Sequence, residues 1–317
     1  MKTQTLLIIL INLVSGTILL LAGVDWMGQG LEKANRSLLE KVMANLTGKT
    51  WRAFLAGTFL TALIQSSTAV TVLTVGLVNS GIMKLSQAVG IILGANIGTT
   101  VTAQLISFPI SHISIPALII GIGTIVLSRR PTIRSIGQAI TGIGFLFAGL
   151  MVLNASIPYV RDNPKIQQLF LHYGGNPFIS LFIGMIATAL VHSSSATVGL
   201  TILLYNAGLL PFEGAVALVL GDNIGTCITA QLAGLKGNIA AKRTVWAHTL
   251  YNIIGVIIAF TFLKPFANLV ENITTFLGMD QTRLVANSHT LFNILSAVLF
   301  LPLIKFYVKF IEWVVPE

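Results

Sequence analysis

Apolar runs recur from one end of the chain to the other, near residues 5–24, 112–128, 136–157, 243–263 and 284–304. About 20 apolar residues cross a hydrocarbon core roughly 30 Å thick, so each run is a candidate span. Two intervening stretches, 53–79 and 177–206, are longer than one comfortable span and hold a polar cluster at the centre. The clusters read Gln65-Ser66-Ser67-Thr68 and His192-Ser193-Ser194-Ser195. Split there, each stretch becomes two half-helices of about 12 residues and about 18 Å, roughly half the core. The pattern predicts a re-entrant helical hairpin, made twice, with its tip near the membrane midplane. Serine and threonine are good N-caps, so a half-helix starting near Ser67 presents free N–H groups and the positive end of its dipole. A second pair of segments carries paired glycines, GANIGTT (94–100) and GDNIGTC (221–227). There we expect an unwound turn, Thr99 or Thr226 capping the next helical segment, and freed carbonyls suited to a hard cation.

These features recur because the chain is written twice. Residues 57–105 align with 184–232 without a gap, and polar positions match as well as apolar ones: Asn79 with Asn206, Asn96 with Asn223, Gln104 with Gln231. Apolar bias alone does not align polar residues, so the match is an internal duplication. Upstream, SGTILLLAG (15–23) matches TGIGFLFAG (141–149), shifted by one residue. The expected organisation is one membrane domain, 1–317, of two inverted-topology repeats, 1–128 and 129–317.

Composition agrees with a bilayer. Of 317 residues, 54% are apolar and only 9% charged, against about a quarter in soluble domains. The net charge of +9 comes from basic residues in short loops between apolar runs, which reads as membrane orientation rather than nucleic-acid binding. Placing RRPTIR (129–134) in the cytoplasm puts Lys33, Arg36, Lys41, Lys49, Arg52, Lys236, Lys242, Arg243, Lys305 and Lys309 there too. The two hairpins then enter from opposite faces and meet near the midplane. Residues 5–24 lack a small-x-small cleavage site and read as a span, not a signal peptide. The single cysteine, Cys227, excludes an intramolecular disulfide.

The doubled polar cluster followed by Gly94-Ala95-Asn96-Ile97-Gly98-Thr99 and Gly221-Asp222-Asn223-Ile224-Gly225-Thr226 resembles the type II sodium-dependent phosphate cotransporter family. So do two A-x-x-H-x-x-x-N-like stretches, WAHTLYN with His248 and Asn252, and NSHTLFN with His289 and Asn293. The resemblance implies an all-α integral membrane transporter of the cytoplasmic membrane that is not an enzyme. It implies sodium-coupled symport of inorganic phosphate by alternating access, without an organic cofactor. Phosphate is then expected at Gln65, Ser66, Ser67, Thr68, His192, Ser193, Ser194, Ser195, Asn96 and Asn223. Sodium is expected among Gln65, Asn96, Thr99, Thr100, Gln104, Asp222, Asn223, Thr226 and Gln231, with His248, Asn252, His289 and Asn293 in support. The partners implied are phosphate, sodium ions and the lipid bilayer, with a homodimer left open. Many bacterial relatives carry a cytosolic regulatory domain; the chain ends at Glu317, so regulation of that kind is not expected.

Two positions keep alternative readings. His192 replaces the family's glutamine, either as a neutral donor and acceptor or as a group that titrates near neutrality. Asp222, paired in the repeat with Ala95, is either a sodium ligand or a structural hydrogen-bonding group. His248 and His289 fix neighbouring helices through hydrogen bonds. Arsenate or sulfate could replace phosphate, and a non-transporting phosphate sensor is the other alternative. An intramembrane serine hydrolase lacks support, since no nucleophile-elbow pattern is present.

Overall fold

The first apolar run does not stop where a span would. In the computed structural model, which describes residues 3–44, 49–108 and 111–317, α1 runs from Thr3 to Ala44. Its 42 residues reach about 63 Å, twice the hydrocarbon core. Lys33, Arg36 and Lys41, expected in a loop, therefore lie on a helix. The reason is local: LEKANRSLLEKVMA (31–44) contains neither glycine nor proline and is rich in good helix formers.

The other helices are α2 (Thr50–Ile64), α3 (Ser67–Asn79), α4 (Leu85–Ile106), α5 (Ser114–Leu127), α6 (Pro131–Asn154), α7 (Ile157–Arg161), α8 (Pro164–Gly174), α9 (Pro177–Val191) and α10 (Ser194–Asn206). The chain continues through α11 (Phe212–Gly225), α12 (Cys227–Gly234), α13 (Ile239–Thr261), α14 (Leu263–Phe276), α15 (Leu284–Phe300) and α16 (Ile304–Val314). No strand occurs among the described residues. Among the described residues, five helical stretches are long and apolar enough to span a membrane: Leu7–Met43, Leu85–Ile106, Pro131–Arg161, Phe212–Gly234 and Ile239–Thr261. A sixth is reached if Gln281–Phe300 is counted with α16, which turns away by 88°. The protein is thus an all-helical, multi-pass membrane protein. The run at 112–128 forms only the 14 residues of α5, about 21 Å and short of the core. It packs on α6, where Ser114 Oγ donates to the Gly144 carbonyl at 3.0 Å.

Glycine sets how the long helices meet. On α1, Gly16 abuts Gly149 and Leu153, Gly23 abuts Gly142 and Leu146, and Gly30 abuts Ser135 and Ala139. Positions rise on α1 as they fall on α6, so these helices are antiparallel. They contain the matched segments 15–23 and 141–149. Small residues at this spacing let backbones approach closely.

The same physics corrects the expectation of an unwound turn at each glycine pair. Helix α4 is unbroken through Gly94 and Gly98. A Cβ at Gly94 would collide with the Phe54 carbonyl of α2, and one at Gly98 with Thr58 and Thr61. In the second half, a Cβ at Gly221 would collide with Leu181 and one at Gly225 with Met185, both on α9. The glycines are contact points between helices rather than hinges. Only Thr226 interrupts the second copy, and its φ −58°, ψ −27° remain helical. Neither threonine caps: Thr99 Oγ1 donates to Ala95 O at 3.0 Å and Thr226 Oγ1 to Asp222 O at 2.8 Å. The Thr226 N–H also still reaches Asp222 O, at 3.0 Å, so the expected free carbonyl is not released there.

Two ends of the molecule differ in charge. Leu39, Met43, Ala53, Val78 and Met83 share one buried cluster, with Ala240 packed against it. Lys33 Nζ donates to Gln138 Oε1 at 3.2 Å and Arg243 Nε to Val315 O at 2.9 Å at this same end. Most of the lysines and arginines are therefore gathered there. At the opposite end, Asn206 Nδ2 donates to Thr282 O at 3.4 Å, and Arg161, Lys165, Lys264 and Arg283 are basic residues in the adjoining turns and short helices.

Candidate functional site

The two polar clusters break their helices in the same way, residue for residue. Gln65 has φ 55°, ψ 29° and His192 has φ 56°, ψ 23°; among the described residues no other non-glycine has positive φ. Left-handed backbone is uncommon outside glycine and costs on the order of 1 kcal/mol or more. Each N–H still bonds one turn back, to Thr61 O and Thr188 O, both at 2.8 Å. The next residue is extended in both copies: Ser66 at φ −139°, ψ 93° and Ser193 at φ −144°, ψ 100°. Its hydroxyl then caps the following helix, Ser66 Oγ accepting from Ala69 N at 3.2 Å and Ser193 Oγ from Ala196 N at 3.4 Å. Two residues thus end one helix and open the next. Helices α3 and α10 each start with a serine cap and uncommitted N–H groups.

Both starts face one cavity of about 670 Å³, lined by Gln65–Ala69 and by Val191–Ser195. Helix α1 closes one side with Asp25, Gly28, Gln29 and Glu32, and Thr226 contributes from the second glycine segment. Gly28 lets α1 come near the first break, since a Cβ there would lie 3.5 Å from Gln65 O. Among the described residues, no lysine or arginine lines this space. Hydroxyls and helix N-termini are sufficient donors for an oxyanion. Asp25 and Glu32 were not expected here, because matched polar pairs marked the site in sequence and Asp25 aligns with Met151. A carboxylate on an otherwise apolar helix was the signal available.

Behind the second tip lies a buried carboxylate. Thr188 Oγ1 donates to Asp222 Oδ1 at 2.9 Å and shares a 2.7 Å hydrogen bond with Thr197 Oγ1. Asp222 Oδ2 is buried without a hydrogen-bond partner. Asp222 and the two threonine hydroxyls linked to its Oδ1 are oxygen donors of the kind a hard cation takes.

Over residues 19–155 and 162–281 the sequence matches the Na+/Pi-cotransporter family. The chain belongs to that family. YqeW of Bacillus subtilis, an uncharacterised protein, is 31% identical over 98% of this chain and 99% of its own length. YjbB of Salmonella typhimurium, provisionally named an inorganic phosphate export protein, is 31% identical over 84% of this chain but only 49% of its own. Human sodium-dependent phosphate transport protein 2B is 29% identical over 39% of this chain and 20% of its own. No solved structure matches. Members of the Na+/Pi-cotransporter family are transporters, and phosphate transport is the activity that membership supports.

The remaining residues expected at the site sit away from the cavity wall, and only some of them join helices. Asn96 Nδ2 donates to Asn252 Oδ1 at 2.9 Å, tying α4 to α13, while Asn252 Nδ2 donates to His248 O at 3.0 Å. Asn223 and Asn293 instead donate one turn back on their own helices, to Val219 O and His289 O. Thr100 Oγ1 likewise donates to Ile97 O at 2.7 Å. Gln104 Nε2 reaches Thr290 Oγ1 at 2.9 Å and Asn287 Oδ1 at 3.1 Å, and its Oε1 accepts from Arg283 at 2.6 Å. Its repeat partner Gln231 donates to Thr249 Oγ1 at 2.7 Å. Thr249 and Thr290 each come directly after the histidine of an H-T-L motif, so both glutamines dock a repeat onto the same place in α13 or α15. Among the described residues no ring hydrogen bond from His248 fixes a helix, both of its nitrogens being buried without partners, and Nδ1 of His289 is likewise unpartnered. The motif acts instead through the neighbouring threonine and asparagine.

Proposed function

We propose that this protein moves inorganic phosphate across the cytoplasmic membrane together with sodium, by alternating access of one central site. The observation that carries the reading is the pair of matched breaks, Gln65-Ser66 and His192-Ser193, whose capped helix starts share one cavity. Phosphate is held by the hydroxyls of Ser66, Ser67, Thr68, Ser193, Ser194 and Ser195 and by the N–H groups of α3 and α10, with Gln65 and His192 flanking. Sodium offsets the anion's charge and supplies the driving force, about 2.3 kcal/mol per net charge per 100 mV. Asp222, with Thr188 and Thr197, holds one sodium ion; Asp25 and Glu32 draw cations to the mouth.

Two packing facts support inverted repeats with re-entrant hairpins, one repeat in 1–128 and the other in 129–317. The matched helices α1 and α6 are antiparallel. In addition, Gly90 near the start of α4 abuts Thr50 at the start of α2. The α2–α3 excursion therefore returns to the end from which it left. The gathered basic residues favour a cytoplasmic position for that end.

Radiolabelled phosphate flux in proteoliposomes tests the reading. Flux driven by a sodium gradient, run in both orientations because YjbB is named for export, is the expected result. Sodium-independent flux, or stronger flux of sulfate or arsenate than of phosphate, would replace it.

A further inference from the structure

A second cavity repeats the geometry of the first at the other end of the molecule. It holds about 340 Å³ and is lined by the C-terminal halves of α6 and α10. Shifted by the repeat offset, its α6 residues Phe147, Leu150 and Met151 correspond to Leu21, Val24 and Asp25, which line the tip cavity. On the hairpin helices, its Gly199 corresponds to Val72, which also lines the tip cavity. Since α1 and α6 are antiparallel, the two spaces lie towards opposite ends. Their chemistry is opposite as well. Among the described lining residues the tip cavity has Asp25 and Glu32 and no lysine or arginine, whereas the second has Arg161, Asn154 and Asn206 and no carboxylate.

The barrier between them is thin. From Ser195 in the tip cavity to Gly199 in the second is four residues of α10, about 6 Å. A Cβ at Gly199 would lie 3.2 Å from Ile106 Cδ1 and 3.9 Å from Leu20 Cδ1. Leu20, Ile106, Phe147 and Val198 belong to one buried apolar cluster.

We propose that the Arg161 cavity is the second vestibule of the oxyanion site, closed here by an apolar plug centred on Leu20 and Ile106. It accepts hydrated phosphate from the side opposite the basic end, and plug opening connects it to Ser193–Ser195. This rests on the transport reading above and adds the route, the gate and the side on which the anion is attracted.

Single-cysteine variants in a Cys227→Ser background, reconstituted in vesicles, test it with a membrane-impermeant maleimide. Gln29→Cys should label only from the basic end, and Leu203→Cys, with Met151→Cys as a second probe, only from the other. Adding Ile106→Ala should make Ser194→Cys react several-fold faster from the Leu203 side. Arg161→Gln should raise the phosphate concentration for half-maximal flux several-fold from that side alone. Labelling of Gln29→Cys and both α6/α10 probes from one side overturns the vestibule. An unchanged Ser194→Cys rate overturns the plug. An Arg161→Gln shift that is absent or equal from both sides overturns the anion route. Opposite-side labelling without any phosphate flux would instead sink the transport reading and leave the two-vestibule geometry standing.

Discussion

In the second half of the chain, Thr188, Thr197 and Asp222 form a hydrogen-bonded group behind the His192 tip. The same three positions in the first half are Thr61, Val70 and Ala95, and there the Thr61 hydroxyl is buried without a partner. The tips themselves differ in the reverse sense. Gln65 is tied down, its Oε1 accepting from Thr102 Oγ1 at 2.5 Å and its Nε2 donating to Ala62 O, while His192 is exposed to the cavity. Duplication preserved the backbone, including both left-handed residues, and let the side chains divide the work. One half anchors the site; the other carries the buried carboxyl group and the exposed imidazole.

The strongest way to break the comparison is to disturb what the halves share. Gly94→Val and Gly221→Val each push a side chain into the backbone of the facing helix. Both should lose folded protein on size-exclusion chromatography, since overpacking costs about 1–3 kcal/mol or more. Equal tolerance at either glycine would return it to the role of hinge.

Next comes what the halves do not share. Asp222→Asn should cut sodium-driven phosphate flux by about tenfold or more, the scale of one hydrogen bond to a charged group. It should also lower the charge moved per phosphate, measured on supported membranes. Ala95→Asp in that background should not rescue it, because Val70 offers no second hydroxyl. Normal charge coupling in Asp222→Asn would make the carboxylate structural only.

Helix breaks, serine caps and the duplication were legible because each rests on local chemistry: a polar cluster in oil, a hydroxyl before a helix, polar residues matching at one offset. Glycine pairs were misread because a glycine permits both an unwound turn and a close approach, and the sequence does not say which helix lies opposite. The length of α1 was hidden by charge, since Lys33 and Arg36 mark the end of a span but not the end of a helix. The docking of Gln104 on Thr290 joins positions 186 residues apart, and that of Gln231 on Thr249 crosses from α12 to α13. The histidines and asparagines of those motifs form a recognisable spacing, whereas a threonine in an apolar helix does not stand out.

The smallest expected effect is at the tip that is free. His192→Gln should keep most of the flux, because the matching residue of the first tip is glutamine, which offers a donor and an acceptor at the same left-handed position. His192→Ala, which offers neither, should lower flux several-fold in the same proteoliposome assay. Equal flux in His192→Ala and His192→Gln would mean that the ring does not contact the substrate.

The central claim is that both breaks hold one substrate. The direct test is a double-mutant cycle on sodium-driven phosphate flux with Ser66→Ala, Ser193→Ala and the pair. Each cap is worth about 1 kcal/mol. Two tips on one phosphate should couple, with the double variant departing from the sum of the singles by about 0.5 kcal/mol or more. Strict additivity, or full flux when one of the two serines is lost, would contradict a shared site.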